Sequence, residues 1–162
     1  MPQLVRAFRP LNFLVVLALA LTAFAAMTVA TSDTTRVHAA TISFRAKAVQ
    51  IASYQKGDPY RYGADGPNAF DCSGLTLFAY KQVGVSLVHN AEQQYFETWH
   101  KSHSEKRPGD LIFYTSNGRG SGIYHVALYA GRGYTWVARH SGTTVTKQKI
   151  YSSSYLVGRV RS

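Results

Sequence analysis

The chain has 162 residues, a formal net charge of +10 at pH 7, 46% apolar side chains and a single cysteine. That length supports one domain with a core of its own rather than several. One Cys among scattered His and carboxylates gives no metal-ligand spacing, the Gly-rich stretches carry no Walker or dinucleotide pattern, and the basic residues form no aromatic-interleaved stripe; no metal, cofactor or nucleic-acid partner is expected.

Arg6 and Arg9 precede a mostly apolar run from Leu11 to Ala30, interrupted by Asn12, Thr22 and Thr28. A basic segment, an apolar segment and then Val37-His38-Ala39-Ala40, with small residues suited to cleavage after Ala39, predict a secretory signal over residues 1–39. The run is also long enough to span a bilayer, so an uncleaved anchor is the alternative. Either way residues 40–162 form the working domain outside the cytoplasm, with no membrane contact once the signal is cleaved. There a lone cysteine has no partner for an intrachain disulfide, and its retention points to chemistry. Removing the leader leaves a charge of +8. A cationic exported domain is drawn to anionic polymers such as those of a bacterial wall.

Ile42, Ala46, Val49 and Ala52 or Ser53 recur at helical spacing, predicting an amphipathic helix from Ile42 to Tyr54 with Gly57 as its stop. Gly57 to Pro67 is too rich in Gly and Pro for regular structure, and it delivers Tyr60 and Tyr62 just upstream of the cysteine. Either ring is as readily a packing residue as a functional one. The stretch Phe70-Asp71-Cys72-Ser73-Gly74-Leu75 then opens a helix from Cys72 to Lys81 or Gln82 that stops at Gly84. Asp71 is its expected N-cap, and Gly74 is expected to leave room for a substrate to approach the backbone. Asn90 caps a further helix, Ala91 to Trp99; the neighbouring His89, His100 and His103 are assigned no chemistry. After the turn Arg107-Pro108-Gly109-Asp110 the periodicity changes. Strands are predicted over Leu111–Tyr114, Ile123–Ala130, Tyr134–Ala138, Thr143–Ile150 and Leu156–Val160, with a hairpin turn at Gly131-Arg132-Gly133. Helices followed by antiparallel strands make an α+β fold, the helices packed on one small sheet.

A thiol at a helix N-terminus meets unpaired backbone N–H groups and the positive end of the macrodipole, which favour the nucleophilic thiolate. Such a nucleophile needs a base, and His125 is the best placed. It lies in the apolar strand Ile123-Tyr124-His125-Val126-Ala127-Leu128, where a polar ring is hard to justify otherwise. A helix-borne Cys facing a strand-borne His is the papain-like arrangement.

From about Ala46 to Val160 the chain resembles the NlpC family of papain-like cell-wall cysteine peptidases. Four blocks in the family's order carry the resemblance: Gly57-Asp58-Pro59-Tyr60-Arg61-Tyr62-Gly63, Phe70-Asp71-Cys72-Ser73-Gly74-Leu75, Pro108-Gly109-Asp110-Leu111-Ile112-Phe113, and Tyr124-His125-Val126-Ala127-Leu128-Tyr129-Ala130-Gly131. The resemblance implies a monomeric enzyme that hydrolyses amide bonds in peptidoglycan stem peptides, typically between D-γ-glutamate and a diamino acid, through an acyl-enzyme. It implies Cys72 as nucleophile and His125 as base. Tyr60, Asp71 and Ser73 fall at positions that line the substrate cleft, the acid meeting a free amine of the stem peptide.

The chain departs from the family at one position. Relatives carry a polar third residue, often His, that orients the base, and the corresponding position here is Val137, which accepts no hydrogen bond. His140, three residues on, is the candidate substitute. A two-residue turn at Arg132-Gly133 would set His140 opposite His125, whereas a turn centred on Gly131 would set Val137 there. The departure keeps one other reading open, and the range of acyl chemistry that a Cys–His fold supports keeps a second. One is a wall-binding relative that does not cut. The other is an acyltransferase or amidase acting on a different substrate.

Overall fold

The computed structural model describes residues 44–161; the leader expected over residues 1–39 lies outside the described residues. The chain is helical over residues 44–54 (α1), Cys72–Lys81 (α2) and Ala91–Phe96 (α3). Six strands follow: β1 Trp99–Lys101, β2 Leu111–Thr115, β3 Ile123–Gly131, β4 Tyr134–Val137, β5 Thr146–Lys149 and β6 Tyr155–Arg159. They form one antiparallel sheet in the order β1-β6-β2-β3-β4-β5. The α+β layout is the one expected. Among the described residues no helix is long and apolar enough to cross a membrane.

Strand β2, Leu-Ile-Phe-Tyr-Thr, is made wholly of residues that suit a pleated, buried surface, and all five are buried. Alternation divides it between two cores. Leu111 and Phe113 join Val126, Leu128 and Trp136 beneath Ala48 and Ala52 of α1 and Leu75, Ala79 and Tyr80 of α2. Ile112 and Tyr114 join Ala127, Tyr129, Val137 and Val157 on the opposite side of the sheet. Burying a side chain such as Leu75 contributes on the order of 2 kcal/mol, so the first core fixes α2 against β3.

Two local expectations are corrected. The helix from Ala91 ends at Phe96 rather than Trp99, and Trp99-His100-Lys101 pairs as an edge strand with Arg159, Gly158 and Val157 of β6. Thr98 turns the chain by donating its hydroxyl to the Tyr95 carbonyl at 2.7 Å, and it packs on the side of Gly158 that lacks a Cβ. A tertiary pairing thus overrides helical spacing that would otherwise have continued.

The β3–β4 hairpin follows neither of the two registers considered. Its tip is the two-residue turn Arg132-Gly133, with φ of 53° and 78°, and Gly131 pairs with Tyr134. Below the tip Tyr129 pairs with Thr135 and Leu128 with Trp136, so Ala130 is an extra residue on β3. This bulge slips the register by one. Carried three residues further along each strand from the Leu128–Trp136 pair, it brings Arg139 level with His125, not His140 or Val137.

Candidate active site

Cys72 is the first residue of α2, and Asp71 is its N-cap, as the sequence predicts. The Asp71 carboxylate is 6% exposed and engaged on both oxygens. Oδ1 accepts from the Gly74 N–H at 2.7 Å and the Ser73 hydroxyl at 3.2 Å, and pairs with His89 Nε2 at 2.8 Å; Oδ2 accepts from the Gly63 N–H at 2.8 Å. The loop ahead of the helix is tied down as well. Asp71 donates its N–H to the Ala64 carbonyl at 2.8 Å, Arg61 donates to Phe70 at 3.0 Å, and Tyr60 donates to Thr143 at 2.9 Å. Gly74 does not leave space for substrate. A Cβ there would collide with the carbonyl of Ala64 and with Asp65, so the missing side chain lets the 57–67 loop close over the helix start.

The backbone N–H of Val126 on β3 lies against the Cys72 thiol. Packing β3 there brings the preceding residue, His125, into the same cleft. His125 is 5% exposed and pairs across the sheet with Tyr114, ring centroids 5.7 Å apart. Its Nε2 is buried without a hydrogen-bond partner. Val137 is fully buried in the apolar cluster on Tyr114's side of the sheet and offers no acceptor.

Tyr60, Asp71, Cys72, Ser73 and His125, drawn from three separate parts of the sequence, line one cavity of about 360 Å³. His140 does not line it. Its exposed ring faces its own loop, Nδ1 lying 2.9 Å from the Ser141 carbonyl, and it shares with His125 an adjoining cavity of about 260 Å³. Three further lining residues carried no functional signal in the sequence: His89, Glu92 and Arg139. His89 sits in a loop, 18 residues after the carboxylate it binds. Arg139 enters only through the bulge at Ala130, which no spacing rule anticipates. No group of His, Cys, Asp and Glu among the described residues is arranged to hold a metal ion.

The electrostatics differ from those expected of a helix-terminal thiol. Burial pushes the Cys72 pKa up and Asp71 adds to the rise, whereas the N–H groups of Val126, Ser73 and Cys72 itself pull it down without prevailing. Burial, then Arg139 and His140, push His125 down from 6.5 to about 4, with Asp71 opposing. Both shifts favour the neutral forms, a thiol beside an uncharged imidazole. Burial, with the Cys72 thiol and Asp71 nearby, also raises the Tyr60 hydroxyl.

Comparison with known proteins places the chain among cell-wall endopeptidase domains in sequence and fold. A probable endopeptidase p60 of Listeria grayi is 42% identical over 105 residues, covering 63% of this chain and 20% of its own length. The bifunctional muramidase/DL-endopeptidase CwlT of Bacillus subtilis is 32% identical over 124 residues, covering 74% of this chain and 38% of its own. The chain thus spans only about a fifth to two fifths of these curated relatives. Among solved structures, the peptidoglycan hydrolase RipB of Mycobacterium tuberculosis matches with a TM-score of 0.68 and 29% identity, over 76% of this chain and 68% of that one. RipD of the same organism, described as a non-catalytic NlpC/p60 domain protein adapted to peptidoglycan binding, matches with a TM-score of 0.63 and 26% identity, over 73% of this chain and 98% of its own. The model of the NlpC/P60 family matches residues 57–160, most of the chain and all of the cleft described above, and the chain belongs to that family.

Proposed function

We propose that the chain is an exported cysteine endopeptidase that hydrolyses amide bonds in peptidoglycan stem peptides, between D-γ-glutamate and a diamino acid. The observation that carries this reading is the placement of a helix-terminal Cys72 and a strand-borne His125 in one cleft, within a family whose relatives are named endopeptidases, one of them a DL-endopeptidase.

With both groups neutral at rest, the reaction starts as general-base catalysis. His125 takes the Cys72 proton as sulfur attacks the scissile carbonyl, and the backbone N–H of Cys72 donates to the oxyanion. The imidazolium returns its proton to the leaving amine and the acyl-thioester forms. A water, deprotonated by His125, then releases the peptide acid and regenerates the thiol. Tyr60 borders the carbonyl, and the Asp71–Ser73 side of the cleft faces the free amine of the stem peptide.

The second reading, a wall-binding relative that does not cut, draws support from one observation: Nε2 of His125 is buried and unpaired, with Val137 where relatives place a polar residue. RipD shows that such a member exists in the family. His140 stays a candidate orienter because it shares the adjoining cavity with His125.

Digestion of purified peptidoglycan, with mass analysis of the released fragments, separates these readings. The unaltered chain is expected to release fragments with newly exposed amines, and Cys72→Ala to release none. Val137→His is expected to raise kcat about tenfold by giving Nε2 a partner, and His140→Ala to lower it if His140 orients the ring. Activity appearing only in Val137→His would instead make the chain a binding relative.

A further inference from the structure

Arg139 lies two residues beyond β4 and borders both the cavity that holds Cys72 and the one adjoining it, each of which His125 also lines. Its exposed guanidinium rests against an aromatic ring. The carbon sits 4.5 Å from the centroid of the Tyr151 ring, Tyr151 stacks on Tyr114 at 4.1 Å, and Tyr114 is the cross-strand partner of His125. Stacking of this kind orients the planar donor fork while leaving its edge free to bind. Among the described residues no carboxylate uses that edge: the ion pairs there are His89 with Asp71 and Arg159 with Asp110. An aligned cation without an anion stands beside the histidine that must itself become positive during turnover. The acidic lining residues, Asp71 and Glu92, come from the cap of α2 and the first turn of α3. The cleft is therefore charged with opposite signs by different elements, which suits a peptide bearing an amine and a carboxylate near the bond to be cut.

We propose that Arg139 anchors a substrate carboxylate next to the scissile amide, namely the α-carboxylate that a γ-linked glutamyl residue leaves free. The identity of that peptide rests on the peptidase reading above; the existence of the anion site does not. A planar guanidinium meeting a carboxylate forms two parallel charge-assisted bonds and rejects a carboxamide, which presents only one acceptor oxygen and no charge. Binding also neutralises the cation. The groups facing His125 are Arg139 and His140 from the end of β4, Asp71 and Cys72 from the start of α2, Tyr114 from β2, and Tyr124 and Tyr151 across the adjoining cavity. Of these Arg139 is the largest charge opposing the imidazolium, so the correct substrate removes that opposition as it binds. Specificity and activation of the base are coupled through one side chain.

The test is calorimetric titration of the full chain carrying Cys72→Ala with two peptides, L-Ala-γ-D-Glu-diamino acid and its analogue with that glutamate α-carboxylate as a carboxamide. The carboxylate peptide is expected to bind about ten- to a hundredfold more tightly, the range of a charged hydrogen-bonded pair. Adding Arg139→Gln is expected to bring the two affinities together by weakening only the carboxylate peptide, and Arg139→Lys to restore part of the difference. Equal binding of the two peptides, binding of neither, or discrimination that survives Arg139→Gln would overturn the proposal. Turnover of the same peptides by the chain with Cys72 intact distinguishes the two claims. Discriminating binding without cleavage keeps the anchor and removes the peptidase, whereas cleavage of both at rates indifferent to Arg139→Gln keeps the peptidase and removes the anchor.

Discussion

His125 bears the largest electrostatic cost in the site, because it is enclosed in the sheet beside Arg139 and lacks a partner on Nε2. Its folded pKa of about 4 lies below its unfolded value of 6.5, so between those values the unfolded chain binds the extra proton. Its contribution to stability is whole above pH 6.5 and declines as pH falls toward 4. The total is on the order of 3 kcal/mol. Urea unfolding of the chain at pH 7 and pH 4.5 is expected to show that loss, and His125→Gln to remove most of it; an unchanged pH dependence would mean that other groups set it. Cys72 is shifted toward the thiol for a reason of its own, burial first and the Asp71 charge second. The backbone N–H groups around the sulfur are present as the helix terminus requires, but burial outweighs them.

At the level of elements, the nucleophile is positioned by a loop locked onto a helix start. Asp71 joins the two, capping α2 through Gly74 and holding the loop through Gly63. Gly74 permits the contact, since Ala64 and Asp65 fill the place of its side chain. Gly74→Ala forces backbone apart from backbone, and a destabilisation of about 1–3 kcal/mol is expected, the usual cost of an overpacked site. Displacing the first turn of α2 also shifts Cys72, so peptide hydrolysis is expected to fall further than the folded fraction does. Comparing initial rates with the urea midpoint measures this; rates that track folding alone would show that the loop does not position the thiol.

Across the whole molecule, the described domain is one antiparallel sheet with helices over one face and the cleft where α2 meets β3. The net positive charge, +8 on residues 40–162, is carried mostly by residues outside the cleft and supplies attraction without geometric specificity. Association with purified wall is expected to weaken as salt rises from about 0.05 to 0.5 M, because the Debye length shrinks across that range. Sedimentation of the chain with wall fragments reads the effect, and retention at the upper limit would indicate a specific contact instead.

The sequence by itself determined that helices precede the main run of strands, that a capped helix opens at Cys72, and that its lone thiol and His125 are the candidate pair. Each depends on local chemistry: an Asp before a helical run, Gly at its end, a lone polar ring in the apolar run Ile123 to Leu128. It left open what surrounds the pair. His89, Glu92 and Arg139 reach the cleft through loop closure and a one-residue bulge at Ala130, and neither leaves a periodic trace. The strand Trp99–Lys101 was hidden for a related reason: its conformation is set by β6, nearly sixty residues away, and not by its own propensity. Burial is also a property of the packed molecule. Only the tertiary structure buries the imidazole and half-buries the thiol, which shifts both toward their neutral forms, and only it sets beside them a guanidinium that forms no ion pair among the described residues.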